Sequence, residues 1–146
     1  KGGESKLMSA YNIHNKLQEK KELLKILYGK FYHDKKEENE PGEPSTQFEP
    51  IFEYTNGRLK FKYQRELIYS GYDKAKQSLS KKQIEALNLL DNILKNDDRV
   101  LTYRLERGDM MFSNNRWLIH DRTKFEDYED EKLKRYLIRI WIREPN

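Results

Sequence analysis

Two runs of apolar and aromatic residues, Phe48–Thr55 and Arg58–Gln64, are separated only by Asn56-Gly57. No other feature of the chain constrains its fold as tightly. Asn-Gly between such runs is the strongest short signal for a β-hairpin, because both residues accept the left-handed backbone of a two-residue turn. In the second run Leu59, Phe61 and Tyr63 share one face while Arg58, Lys60 and Lys62 share the other. That alternation is the signature of a half-buried strand.

The remaining elements fall into place around this hairpin. Residues 5–11 read as a short strand. Asn12 opens a helical pattern in which Ile13, Leu17, Leu24, Leu27 and Tyr28 recur, with Gly29 placed to end it. Lys16, Lys20 and Lys21 read as its solvated face. Residues 33–47 are polar, with two prolines and a glycine, and read as a mobile loop. Residues 71–79 read as a polar connector. Ser80-Lys81-Lys82-Gln83 fits a capping box, and Ile84, Leu87, Leu90, Ile93 and Leu94 then predict an amphipathic helix ending near Asn96. Val100–Leu105 reads as a strand and Arg107-Gly108-Asp109 as a turn. Met110–Phe112 and Trp117–Ile119 read as short strands, 121–134 as a charged loop and Arg135–Arg143 as a final alternating strand. No internal repeat and no boundary divides the 146 residues. The expectation is one domain over 1–146, mainly β with flanking helices (α+β).

Composition removes several classes. No run approaches the roughly 18–20 apolar residues of a membrane span, and no secretory leader pattern opens the chain. There is no cysteine, hence no disulfide, no thiolate metal site and no thiol nucleophile. The expected location is cytoplasmic. Lys and Arg exceed Asp and Glu by four (29 against 25), too little to point to nucleic acid without a clustered basic and aromatic face.

The chemistry concentrates in 108–143. His120 ends a short apolar run just before a charged loop, a place where a ring nitrogen can face a rim. Arg135 and Arg139 stand four apart on a predicted strand, so both project to one face. Guanidiniums on one inward face are costly unless anions meet them, and carboxylates do so through a bidentate fork. A metal beside an anionic co-substrate would use such a set. Two alternatives stay open: His120 satisfied by backbone at a strand end, and the arginines paired with the acidic 126–131 segment.

The stretch from Gly108-Asp109 through Asn114-Asn115, Leu118-Ile119-His120 and Phe125 resembles the signature of the taurine-dioxygenase-like Fe(II)/2-oxoglutarate-dependent oxygenases. The run Arg135-Tyr136-Leu137-Ile138-Arg139-Ile140-Trp141 resembles the strand that follows it there, and Gly2-Gly3-Glu4-Ser5 is similar to an earlier motif of the same family. The resemblance covers essentially the whole chain. It implies a double-stranded β-helix (jelly-roll) fold and hydroxylation of a small metabolite with Fe(II), 2-oxoglutarate and O2. Residue by residue, it implies His120 as a metal ligand. It implies Arg135 as the arginine pairing with the 2-oxoglutarate C5 carboxylate and Ser5 as a hydroxyl donor to the same carboxylate. Arg139 would line the co-substrate or substrate side, and Tyr63 and Arg65 would line the substrate pocket. For Tyr63 strand packing, and for Arg65 a solvated position, are the alternatives.

The family's His-x-Asp/Glu pair does not occur. His14, His33 and His120 are followed by Asn15-Lys16, Asp34-Lys35 and Asp121-Arg122. Asp121 also replaces the family's usual glycine and reads as a solvated loop residue. His14 and His33 read as surface or capping residues. With one iron ligand and no initiator Met before Lys1, the expectation is a C-terminal part of an oxygenase, lacking its N-terminal strands and inactive alone. Its partner would be a missing N-terminal segment or a second copy joined through exposed strand edges. The competing readings are a non-catalytic remnant or half-enzyme, and a basic module binding an anionic partner.

Overall fold

The computed structural model describes residues 2–36 and 42–142. Among them the chain forms β1 (Ser5–Ser9), α1 (Ala10–Leu17), a 3-10 turn (Gln18–Lys20), α2 (Lys21–Leu27), β2 (Lys30–Asp34) and β3 (Thr46–Pro50). There follow β4 (Phe52–Thr55), β5 (Arg58–Phe61), α3 (Arg65–Lys74), α4 (Lys81–Asn96), β6 (Leu101–Tyr103), β7 (Leu118–Arg122) and a 3-10 turn at Glu131–Leu133. This is a mixed α/β architecture rather than a mainly β one. The described strands form three small antiparallel sheets, ordered β6-β1-β7, β2-β3 and β4-β5.

The Asn56-Gly57 hairpin forms as its chemistry requires. Both residues have positive φ, 52° and 73°, the mark of a type I′ turn, and Thr55 pairs with Arg58 across it. The first apolar run, however, is two strands. Ile51 gives its N–H to the carbonyl of Leu27 at 3.1 Å and its carbonyl to the N–H of Lys62 at 2.9 Å. Its backbone therefore leaves both ladders, and β3 and β4 enter different sheets.

Helix α4 follows the sequence pattern. Ser80 Oγ accepts from the Gln83 N–H at 3.2 Å and Gln83 Oε1 accepts from the Ser80 N–H at 2.9 Å, closing the capping box. Ala86, Leu87 and Leu90 form its buried stripe. They meet Ile13, Leu17, Leu24 and Leu27 of α1 and α2, with Phe31, Ile51, Phe52, Leu59 and Ile68 completing the core.

Several expectations need correction. The predicted helix from Asn12 begins at Ala10 and breaks at Gln18–Lys20, three exposed residues that contribute nothing to the core. Part of the predicted connector 71–79 belongs to helix α3, because Ile68, Gly71 and Tyr72 supply an apolar face at helical spacing. The loop predicted over 33–47 is shorter: His33 and Asp34 lie in β2 and Thr46 and Gln47 in β3, opposite one another in register. Residues 37–41 of that loop lie outside the described residues. His33 is buried rather than superficial, with Nε2 3.2 Å from the Glu49 carbonyl. Burial, and then the charge of Lys62, lower its pKa.

Lys16 is not merely solvated either. It lies 3.3 Å from the buried carboxylate of Asp97. That carboxylate also accepts from the backbone N–H, Nε and Nη2 of Arg99. These charged donors hold its pKa below the ordinary carboxylate range.

The last third of the chain departs furthest. Met110–Phe112 is not a strand, and β7 runs on through Arg122, so the charged loop starts later than predicted. The predicted strand Arg135–Arg143 is irregular over 135–142, and Arg143 lies outside the described residues. A strand needs another strand to take its amides, and among the described residues none lies alongside. Its apolar side chains stand in solvent, with Tyr136 86% and Ile140 80% exposed.

Candidate functional site

The sheet β6-β1-β7 carries Ser5 and His120 of the predicted site residues. Its register pairs Ser5 with both Tyr103 and Arg122, and Leu7 with both Leu101 and His120. Directly opposed residues in a sheet present their side chains to the same face. One face therefore holds two rows: Leu101, Leu7 and His120, then Tyr103, Ser5 and Arg122. The opposite face carries Met8, which is buried, and Ile119, which packs on the core. The first face is the open one, with Leu101 61% exposed.

His120 is exposed, and its ring makes no hydrogen bond among the described residues. Among the described residues no backbone group satisfies that ring, and His120 stands in the middle of β7 rather than at a strand end. Asp121, one residue on, turns to the opposite face and pairs with Lys6 in register. It belongs to β7 rather than to a loop, and strand alternation keeps its carboxylate away from the His120 side.

The segment before β1 is built against the segment after β7. The ladder continues in the same register to a bridge between Gly2 and Phe125. Glu4 gives its N–H to Thr123 Oγ1 at 2.9 Å, and Thr123 returns its own to the Glu4 carbonyl at 2.9 Å. Two glycines are needed here. Both have φ of 75°, and a Cβ on Gly2 would stand 2.1 Å from the Lys124 carbonyl oxygen.

Arg135 reaches back to this corner. Its Nη1 donates to the Gly3 carbonyl at 2.6 Å and its Nη2 to the Leu105 carbonyl at 3.1 Å. It forms no ion pair with the 126–131 segment among the described residues. Two of the five N–H groups of the guanidinium are used in these bonds. Ser5, two residues after Gly3, opens β1, and its hydroxyl makes no hydrogen bond among the described residues. Arg139 does not join them on a common strand face; it is exposed and lies 5.9 Å from the centre of the Trp141 ring.

Tyr63 and Arg65 come together elsewhere. The Tyr63 hydroxyl donates to Asp91, and Arg65 gives Nη1 to Asp91 at 2.9 Å. Nη2 of Arg65 goes to Tyr69 Oη at 2.6 Å and to Asn88 at 2.8 Å. Burial and the Asp91 carboxylate push the Tyr63 hydroxyl well up from its ordinary pKa. The pair ties the start of α3 to α4, and Arg65 is bound rather than solvated. Two surface depressions, of about 450 and 300 Å³, include none of His120, Ser5, Arg135, Tyr63 or Arg65 in their linings.

Sequence reasoning passed over Arg122. The usable signal was its spacing: two residues beyond His120 on a strand places it on the same face. Among the described residues no three His, Cys, Asp or Glu side chains come together to hold a metal ion.

Comparison with known proteins places the chain in a family. The family model described as "Taurine catabolism dioxygenase TauD, TfdA family" matches residues 1–141. A protein named FR-33289 synthase, from Streptomyces rubellomurinus (strain ATCC 31215), is 35% identical over 151 residues. The match covers 99% of this chain and 44% of that protein, so the chain spans less than half the length of this relative. The chain belongs to the taurine catabolism dioxygenase TauD/TfdA family.

Proposed function

We propose that this chain is the C-terminal part of an Fe(II)/2-oxoglutarate-dependent oxygenase that hydroxylates a small metabolite. The observation that carries the reading is the open sheet face: His120 and Ser5 lie on it in adjacent rows, and Arg135 is anchored at Gly3 beside them. The described residues do not by themselves fit an iron ion, since among them no three His, Cys, Asp or Glu side chains come together. What supports a carboxylate there is the donor set: Arg135 gives two N–H groups to backbone carbonyls and has others, and Ser5, two residues from Gly3, carries a hydroxyl with no hydrogen bond among the described residues.

Within this reading the remaining iron ligands, and the strands that close a jelly roll over the open face, come from polypeptide outside the chain. Tyr136, Ile138, Ile140 and Ile142, all about four-fifths exposed, favour such a covering segment. A partner polypeptide supplied separately, the half-enzyme alternative, draws on the same exposed face.

The test is iron binding and 2-oxoglutarate turnover by the complete gene product. Fe(II)-dependent formation of succinate, with iron affinity lost in His120→Ala, is the expected result. Succinate formation that ignores iron, or an unchanged iron affinity in His120→Ala, would overturn the reading.

A further inference from the structure

We propose that Arg122 is the second guanidinium of the anion corner that Arg135 begins. Together with Ser5 the two arginines would read the distal carboxylate of a dicarboxylate. The inference rests on the proposed use of 2-oxoglutarate and adds to it a residue for that co-substrate.

Three observations place Arg122 there. First, the register sets it directly opposite Ser5 and two residues beyond His120 on the same face. Second, its guanidinium lies 4.0 Å from the centre of the Phe125 ring. The aromatic face holds the cation in place while leaving N–H groups at its edge free to donate. Third, room for it is made by Gly3. A Cβ on that residue would come within 3.0 Å of Nη2 and 3.3 Å of Nε.

Arg135 meets the same Gly3 through its carbonyl. Two guanidiniums thus converge on one residue, and among the described residues neither has a carboxylate within ion-pairing distance. Like charges brought together raise each other's cost, and an anion between them removes it. A carboxylate offers two oxygens and about four lone-pair sites, enough for both arginines and the Ser5 hydroxyl.

The test measures affinity rather than activity. The Fe(II)-loaded complete gene product is titrated with 2-oxoglutarate, with glutarate, which keeps the distal carboxylate but has no 2-oxo group, and with 2-oxobutyrate, which lacks the distal carboxylate. Arg122→Gln is expected to weaken 2-oxoglutarate and glutarate about tenfold or more and to leave 2-oxobutyrate within about twofold. Equal affinity of variant and parent for 2-oxoglutarate overturns the role of Arg122 and leaves the co-substrate reading standing. Equal weakening of all three ligands also overturns it, since that is the mark of a structural residue. If the parent protein binds no 2-oxoglutarate, the co-substrate reading falls and this inference with it. Should Arg122→Gln fail to fold, Arg122→Lys decides. It keeps the charge and loses the fork, so glutarate should weaken about threefold or more relative to 2-oxobutyrate, and an unchanged ratio overturns the proposal.

Discussion

Arg135 and Gly3 stand 132 positions apart in the chain, yet Nη1 of one donates to the carbonyl of the other at 2.6 Å. The same guanidinium holds the Leu105 carbonyl at 3.1 Å, so one side chain ties the start of β1 to the end of the β6 segment. Arg135→Met should therefore lower stability by about 1.5–3 kcal/mol, the range for a hydrogen-bonded charged group. Arg135→Lys should recover only part of it, because an ammonium cannot fork to two carbonyls. Urea unfolding of the variants checks both.

Gly71 sits where α3 crosses β2. A Cβ there would stand 2.5 Å from the Tyr32 carbonyl oxygen and 2.9 Å from the Asp34 nitrogen. These are backbone atoms and cannot swing aside. Gly71→Ala is expected to cost about 3 kcal/mol or more, whereas Ser70→Ala, which removes a hydrogen bond to the charged Asp34, should cost about 1.5–3 kcal/mol. A Gly71→Ala protein of parental thermal stability would show that α3 does not lie this close to β2.

The Asn56-Gly57 turn separates conformation from contact. Nothing lies within 4 Å of a Cβ built on Gly57, and its φ is 73°. Gly57→Ala should therefore cost about 1 kcal/mol through backbone strain alone. Asn56→Gly, which keeps the turn type, should be nearly neutral by the same thermal unfolding measurement.

Stability should fall with acid in two stages. His33 has its pKa lowered from 6.5, so the folded chain binds fewer protons than the unfolded chain as pH drops below that value. Its contribution is present above 6.5 and is lost as pH falls toward the folded pKa. Asp34 follows lower down. Lys74 at 2.7 Å and Ser70 at 2.5 Å hold its pKa at about 2, against an ordinary 3.8. Its contribution is present above 3.8 and is lost on the way to about 2. Urea midpoints measured across this range should show both declines, the first flattened in His33→Gln and the second in Asp34→Asn.

The chain by itself should turn over no 2-oxoglutarate, since no three potential metal ligands come together among its described residues. Succinate formed above background by these 146 residues alone would refute that.

Local signals in the sequence were decisive where local chemistry suffices. The Asn56-Gly57 turn, the Ser80–Gln83 capping box and the Leu87–Leu90 stripe each specify their own geometry within a few residues, so each was legible before any tertiary contact was known. A short strand near Trp117–Ile119 was legible too, but its pattern reads as stopping at His120, whereas β7 runs from Leu118 through Arg122. What the sequence could not settle were outcomes that depend on a distant partner. Phe48–Thr55 reads as one strand until Ile51 spends its amide on Leu27 and its carbonyl on Lys62. His33 reads as a loop residue until β3 and α3 close over it. Arg135–Arg143 alternates like a strand, but alternation states only which faces differ, and a ladder needs an edge to join. The register of β1 against β7 decided that Ser5, His120 and Arg122 share a face while Asp121 does not. No local propensity carries that information, because a slip of one residue would have exchanged the two faces.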